Sequence, residues 1–308
     1  MQPLRNVKRR RIRLPQREIE IAVIDWGGAG PLVLLHHANG FCAGTWGLFA
    51  EHLRRDYRVV ALDARGHGDS NAPTSTDAYA WIEFVEDLIA LAETLVGEQA
   101  GEPVALGVGN SFGGLVTGYA AALRPELFAK VAMLDPVIHA SAALRDELVA
   151  RTPGSDPHAF SPKGIPMAAA ARRRRQAWPS REAARQAWAG KDAFERWAPD
   201  ALALYVQEGL RERGEGQVEL KCRVEVEAAV FEGSSSLDLF EVAHRIQAPT
   251  LLLRAARGRF PMIVYEAIAA RIPIAKVVEL DIDHLMPMHD PPELAETLLE
   301  FARSGPMT

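Results

Sequence analysis

Gly109-Asn110-Ser111-Phe112-Gly113 is a G-x-S-x-G pentapeptide between an apolar run, residues 103–108, and a helix-compatible stretch, residues 114–123. A strand, a five-residue turn and a helix form the setting in which such a serine is exposed as a nucleophile. On so sharp a turn the residues two before and two after the serine crowd each other, so both must be nearly free of side chain. Gly109 and Gly113 meet that need, and Gly114 lets the helix approach the strand closely.

Outward from this turn, strands and helices alternate. Glu18–Trp26 reads as a strand ending in Gly27-Gly28-Ala29-Gly30, and residues 32–36 and 58–63 are continuous apolar strands. Thr45–Leu53 has helical spacing, and a longer helix is expected over Thr76–Val96 from Phe84, Leu88, Leu91 and Leu95. Another strand, Lys130–Asp135, follows the helix after Ser111. Continuous apolar strands alternating with helices predict an α/β fold, a mostly parallel, doubly wound sheet covered on both faces.

The rhythm stops at Asp135. Residues 137–240 are rich in Ala, Arg and Glu at helical spacing and are punctuated by Pro153-Gly154, Pro162 to Pro166, Pro179 and Pro199. Trp178, Trp188, Phe194 and Trp197 are too many aromatics for a solvated linker. A helical cap inserted at 137–240 is expected, with the core formed by 1–136 and 241–308. The run Arg172 to Arg175 reads as a solvated helix face. The sheet resumes at Pro249–Leu253 and Ala275–Leu280, with helices at Met262–Arg271 and Pro292–Ala302.

The 308 residues carry a net charge of −5, 48% hydrophobic and 24% charged residues, which are ordinary for a globular protein. That balance gives no drive toward nucleic acid or an anionic membrane. The basic run Lys8 to Arg13 reads as a solvated lead into an edge strand. Cys42 and Cys222, the two cysteines, make neither a disulfide framework nor a thiolate metal site. Neither a secretory h-region nor an 18-residue apolar run is found, so the expectation is a cytoplasmic protein acting on a small molecule. Oligomeric state is not encoded legibly.

Four segments together resemble the α/β-hydrolase fold family, over residues 18–303. Leu35-His36-His37-Ala38-Asn39-Gly40-Phe41 stands where that family has its strand-ending oxyanion loop. Asp63-Ala64-Arg65-Gly66-His67-Gly68-Asp69-Ser70 matches its D-x-R-G-x-G-x-S loop. The Ser111 turn matches the nucleophile elbow, and Asp283-His284, with Asp290-Pro291 beyond it, follows the last strand.

A serine hydroxyl needs a base to take its proton, and histidine titrates near working pH. Of nine histidines, His36 and His37 lie by the oxyanion loop, and His67 is expected to make a structural hydrogen bond in its glycine-rich loop. His289 is near the right region, and His284 stands where the family order nucleophile–acid–histidine requires the base. The family's usual acid follows the strand that here is residues 251–253. Residues 254–260 read Arg-Ala-Ala-Arg-Gly-Arg-Phe and hold no carboxylate, with Gly258 in the acid's place. Haloalkane dehalogenases and some lactonases carry the acid at the end of the preceding strand, which here is Asp135. Asp281, Asp283 and Asp238 stand in reserve.

The resemblance further implies that the Phe112 and Ala38 N–H groups hold an oxyanion, with Asn39 the alternative to Ala38 and His37 replacing the usual glycine. It implies no metal or organic cofactor. A serine hydrolase cleaving an ester or lactone is the leading expectation. Asn110 before the serine is similar to hydrolases that split carbon–carbon bonds of ring-fission diketones, and the fold also hosts non-catalytic ligand receptors. Arg254, Arg257 and Arg259 are expected near the rim of the site, either steering an anionic substrate or serving as solvated charge.

Overall fold

The apolar runs of the sequence become the inner strands of one sheet. The computed structural model describes Leu4 and residues 6–139, 142–151 and 164–305. The glycine/proline clusters at 153–154 and 162–163 lie outside the described residues. The chain begins β1 (Lys8–Leu14), β2 (Ile19–Gly27), β3 (Leu32–His36), α1 (Gly47–Leu53), β4 (Arg58–Leu62) and α2 (Trp81–Glu98). It continues through β5 (Leu106–Asn110), α3 (Phe112–Leu123) and β6 (Val131–Leu134). The middle segment holds α4 (Ala142–Arg151), α5 (Gly164–Arg172), β7 (Ala177–Trp178), α6 (Arg181–Ala189), α7 (Asp192–Glu195) and α8 (Ala201–Glu208). It ends with β8 (Leu210–Gly214), β9 (Gln217–Leu220) and α9 (Val224–Glu232). The closing part is α10 (Leu239–Val242), β10 (Thr250–Ala255), α11 (Met262–Ala269), β11 (Ala275–Leu280), α12 (Met286–His289) and α13 (Pro291–Arg303).

The main sheet has eight strands in the order β1-β2-β4-β3-β5-β6-β10-β11. Its pairings are parallel from β4 to β11, while β1 and β2 are antiparallel additions. Successive residues of β3 feed opposite layers: Leu32 and Leu34 pack with α2, α3 and α11, Val33 and Leu35 with α1 and α13. Two covered faces explain why these strands are apolar throughout. No helix among the described residues is long and apolar enough to cross a membrane.

Three local expectations change. The basic N-terminal run is itself the edge strand β1, paired to β2 along its full length. Its Arg9, Arg10 and Arg11 meet Glu208, Glu98 and Glu20, and such charges blunt an exposed edge. The helix expected from Thr76 is interrupted at Ala80, whose extended ψ of 139° separates a 3-10 turn at Thr76–Tyr79 from α2. The last helix starts at Pro291 because Asp290 caps it, accepting from the Glu293 N–H at 3.0 Å.

The segment between β6 and α10 is not wholly helical. It contains a three-stranded antiparallel sheet, β7-β9-β8. Solvent-facing charges in Leu-Arg-Glu-Arg-Gly, residues 210–214, hid the apolar alternation that marks a strand. The tryptophans pack as the composition requires. Trp188 stacks on Tyr205 with ring centroids 4.8 Å apart, and Phe194 meets Trp197 edge-on at 4.7 Å. Phe41, Leu285 and Met288 of the sheet-bearing part join this cluster, and the Ala198 N–H donates to the Met288 carbonyl at 2.8 Å. The segment is therefore packed onto the sheet's carboxyl edge.

Candidate active site

The turn between β5 and α3 holds Ser111 at φ 59° and ψ −117°, a conformation that side chains disfavour. A Cβ on Gly109 would stand 2.0 Å from the Gly113 carbonyl oxygen, and one on Gly113 would stand 2.5 Å from both Nδ1 and the carbonyl oxygen of His36. Both glycines are therefore required by contact. The Ser111 N–H donates to the Leu134 carbonyl at 2.8 Å, which fixes the turn against β6.

Two further chain segments converge on Ser111. His284, in the loop between β11 and α12, places Nε2 2.8 Å from Ser111 Oγ. Asp135, which follows β6, places Oδ2 2.5 Å from His284 Nδ1. A continuous line of hydrogen bonds thus runs from hydroxyl to imidazole to a carboxylate with 0% exposure. Asp135 has φ 41°, its N–H donates to the Leu253 carbonyl at 2.7 Å, and its Oδ1 accepts from the Ala255 N–H at 3.1 Å. Such an arrangement can pull a proton off the hydroxyl and stabilise the imidazolium that results.

The reserve carboxylates are engaged elsewhere. Asp281 and Asp283 pair with Arg257, with Asp283 also facing His289 at 3.2 Å, and Asp238 caps α10 through the Phe240 N–H at 2.8 Å. Arg257 holds the Asp283 carboxyl below its ordinary range against the opposing effect of partial burial.

One neighbour of Asp135 was not singled out in the sequence. Tyr265 of α11 donates its hydroxyl to Asp135 Oδ1 at 2.5 Å. Burial, reinforced by the Asp135 charge, raises the Tyr265 phenol and keeps it a donor. A tyrosine at a helical core position carries no signal of that role. Gly258 touches the same carboxylate: a Cβ there would lie 2.5 Å from Asp135 Oδ2.

Asn110 also has a positioning contact, its Nδ2 donating to the carbonyls of Leu134 and His284 at 3.0 Å each. It ties the histidine loop to the strand ends. Asn39 bridges similarly, donating to the Glu227 carbonyl at 3.0 Å and facing His67 Nε2 at 3.1 Å.

The histidines of the two loops are structural. The Ala64 N–H donates to His37 Nε2 at 2.9 Å, so His37 replaces a glycine by anchoring the neighbouring loop. His67 lies 3.0 Å from the Arg65 carbonyl. Burial lowers the pKa of His36 and His67 to about 4 and that of His37 well below its ordinary value. In the matching loop, Asp63 accepts from the N–H groups of Ala43 and Asp69, and Arg65 forks onto Asp87 with two bonds of 2.7 Å.

Above Ser111 opens a cavity of about 380 Å³, lined at its base by Ala38, Phe112, Ser111 and His284. Phe112 is the first residue of α3, and N–H groups at a helix start lack intrahelical acceptors. Trp81, Phe41, Val137, Phe231 and Phe260 are among the side chains of a largely apolar wall, so a bound ligand would lose much of its water. Arg174 also lines it, paired with Glu227 and 3.3 Å from the Tyr205 hydroxyl. The expected solvated face of Arg172 to Arg175 thus fails at Arg174, because the turn after α5 points it inward. Of the three rim arginines, Arg254 pairs with Glu279 and Arg257 with Asp281 and Asp283, while Arg259 lines the cavity.

Comparisons with known proteins agree with this architecture. Residues 32–297 match the family model described as "Alpha/beta hydrolase family". Protein phosphatase methylesterase 1 of Mus musculus is 36% identical over 115 residues, covering 36% of this chain and 29% of that protein. The (E)-2-((N-methylformamido)methylene)succinate hydrolase of Acinetobacter baylyi is 34% identical over 128 residues, covering 41% of this chain and 45% of that protein. The matched regions thus span less than half the length of either relative. The crystal structure of E-2-(acetamidomethylene)succinate hydrolase superposes with a TM-score of 0.75 at 21% identity, over 97% of this chain and 100% of that one. That likeness is one of fold.

Proposed function

This chain belongs to the alpha/beta hydrolase family, and we propose that it is a serine hydrolase cleaving an ester or lactone through an acyl-enzyme. The observation that carries the reading is the hydrogen-bonded line Ser111–His284–Asp135, at 2.8 and 2.5 Å. Relatives named as a methylesterase and a succinate-derivative hydrolase support a hydrolytic reading.

In this mechanism Ser111 Oγ attacks the carbonyl carbon as its proton passes to His284 Nε2. The carbonyl π electrons move onto oxygen, and the Phe112 and Ala38 N–H groups stabilise that charge. Asp135 holds the imidazole in the tautomer that presents Nε2 as the acceptor, then stabilises the imidazolium. The C–O bond to the leaving group breaks, and the leaving oxygen takes the proton from His284; in a lactone it stays tethered. Water then loses a proton to His284 and attacks the acyl carbon. The carboxylic acid leaves, and Ser111 Oγ regains its proton. Residues 137–240 serve as the cap over this site, with 1–136 and 241–308 as the core.

A fluorophosphonate probe and a panel of simple esters and lactones test the reading. The protein is expected to be labelled and to turn over at least one substrate, and Ser111→Ala to lose both by several orders of magnitude while staying folded. Labelling or hydrolysis that survives Ser111→Ala in pure protein would overturn it.

A further inference from the structure

The cavity over Ser111 is lined by three cationic side chains, Arg174, Lys191 and Arg259, and one carboxylate, Glu227. Arg174 and Glu227 neutralise each other. Arg259 and Lys191 have no carboxylate partner among the described residues, and Arg259 reaches only the Met167 sulfur. The protein as a whole carries −5. A cationic cavity with low-dielectric walls in an acidic protein concentrates anions.

His139 stands on the same wall. Its ring meets Phe260, the residue after Arg259, edge-on at 6.2 Å. It is 9% exposed, and neither ring nitrogen has a hydrogen-bond partner among the described residues. A buried imidazole with both nitrogens unsatisfied is costly, and a ligand oxygen would remove that cost. Burial, with Arg145 nearby, lowers its pKa to about 4, so the ring is neutral at pH 7 and has one N–H to donate.

We propose that this wall is a carboxylate subsite: the substrate is an ester or lactone that also bears a free carboxylate, held by the Arg259 guanidinium and the His139 ring N–H. The subsite deepens the serine-hydrolase reading and rests on it for the reaction. A planar guanidinium fork matches a carboxylate in geometry and charge, and the neutral imidazole adds one bond without a second charge. Lys191 adds long-range attraction.

The test compares monoethyl glutarate with ethyl pentanoate, a neutral ester of equal acyl length, by ethanol release. Wild type is expected to favour the hemiester in kcat/KM by at least about tenfold, with that preference shrinking at high salt. Arg259→Gln should reduce the hemiester-to-neutral ratio roughly 10- to 100-fold, the range of a charge-assisted hydrogen bond, and Arg259→Lys should recover part of it. His139→Phe, which keeps the ring contact with Phe260, should reduce the ratio roughly 3- to 10-fold.

Calorimetric binding of monoethyl glutarate to Ser111→Ala reads the subsite without turnover, and adding Arg259→Gln should weaken that binding by the same factor. Hydrolysis of both esters without preference, or a ratio unmoved by Arg259→Gln, overturns the subsite and leaves the hydrolase reading standing. No hydrolysis and no fluorophosphonate labelling overturns the hydrolase reading, and the calorimetric arm then decides the subsite alone.

Discussion

Gly258 and Asp135 exclude each other's side chains: a Cβ on Gly258 would lie 2.5 Å from Asp135 Oδ2 and 2.6 Å from Oδ1. The position from which family relatives commonly present their acid therefore abuts the carboxylate that meets His284 here. One imidazole edge accepts one carboxylate, and the glycine leaves the space that Asp135 occupies. Gly258→Ala is expected to push Asp135 off His284 and lower kcat by roughly tenfold or more. Asp135→Asn should lower it by roughly 10³ to 10⁴ with the fold retained, through loss of tautomer control and charge. Steady-state kinetics with a responsive ester check both, and a near-normal Asp135→Asn would remove Asp135 from the mechanism.

Tyr265→Phe deletes the donor at 2.5 Å from Asp135 Oδ1 and leaves the buried carboxylate with the Ala255 N–H on that oxygen. Stability is expected to fall by about 1.5–3 kcal/mol, the worth of one hydrogen bond to a charged group. A carboxylate that loses that donor is held less firmly against His284 Nδ1, so kcat with a responsive ester should fall severalfold while KM stays near its wild-type value. An unchanged kcat would leave Tyr265 with a packing role alone.

The buried histidines make the fold sensitive to mild acid. His36 and His67 are lowered to about 4 in the folded protein, and an unfolded histidine titrates near 6.5. The unfolded state thus binds protons first. The stability these groups confer is full above about pH 6.5 and is lost as pH falls through about 4, roughly 3 kcal/mol for each. Asp63, raised by burial to about 6, acts oppositely, because its buried charge costs stability that protonation returns. Two such imidazoles, with His37 depressed in the same sense, outweigh one carboxyl. Urea midpoints should drop between pH 7.5 and 4.5, and His67→Gln should shrink the drop; a flat or rising midpoint would contradict the assignment.

Arg174→Gln strands Glu227, whose side chain is 8% exposed, without its cation. Burial already raises the Glu227 pKa against the pull of Arg174. A loss of about 3 kcal/mol is expected, and Arg174→Gln with Glu227→Gln should recover part of it, because the cost lies in the unpaired charge. Thermal denaturation of the two variants and wild type measures the difference.

Local sequence determined the inner strands of the main sheet and the turn. Gly109, Ser111 and Gly113 sit next to one another, so the steric demand of the elbow is written in five residues, and apolar runs such as residues 32–36 announce buried strands without reference to partners. His284 and Asp135 were legible only through the order of motifs along the chain. Tertiary structure alone decided which carboxylate meets the imidazole, because Asp135 and His284 lie 149 residues apart and their 2.5 Å contact depends on how β6, β10 and β11 align. Tyr265, Arg174 and His139 acquire meaning in the same way. A tyrosine on a core helix, an arginine in a basic run and a lone histidine look ordinary in one dimension. Their contacts come from packing between distant segments, where distance and burial set the energy, and neither is a property of local sequence.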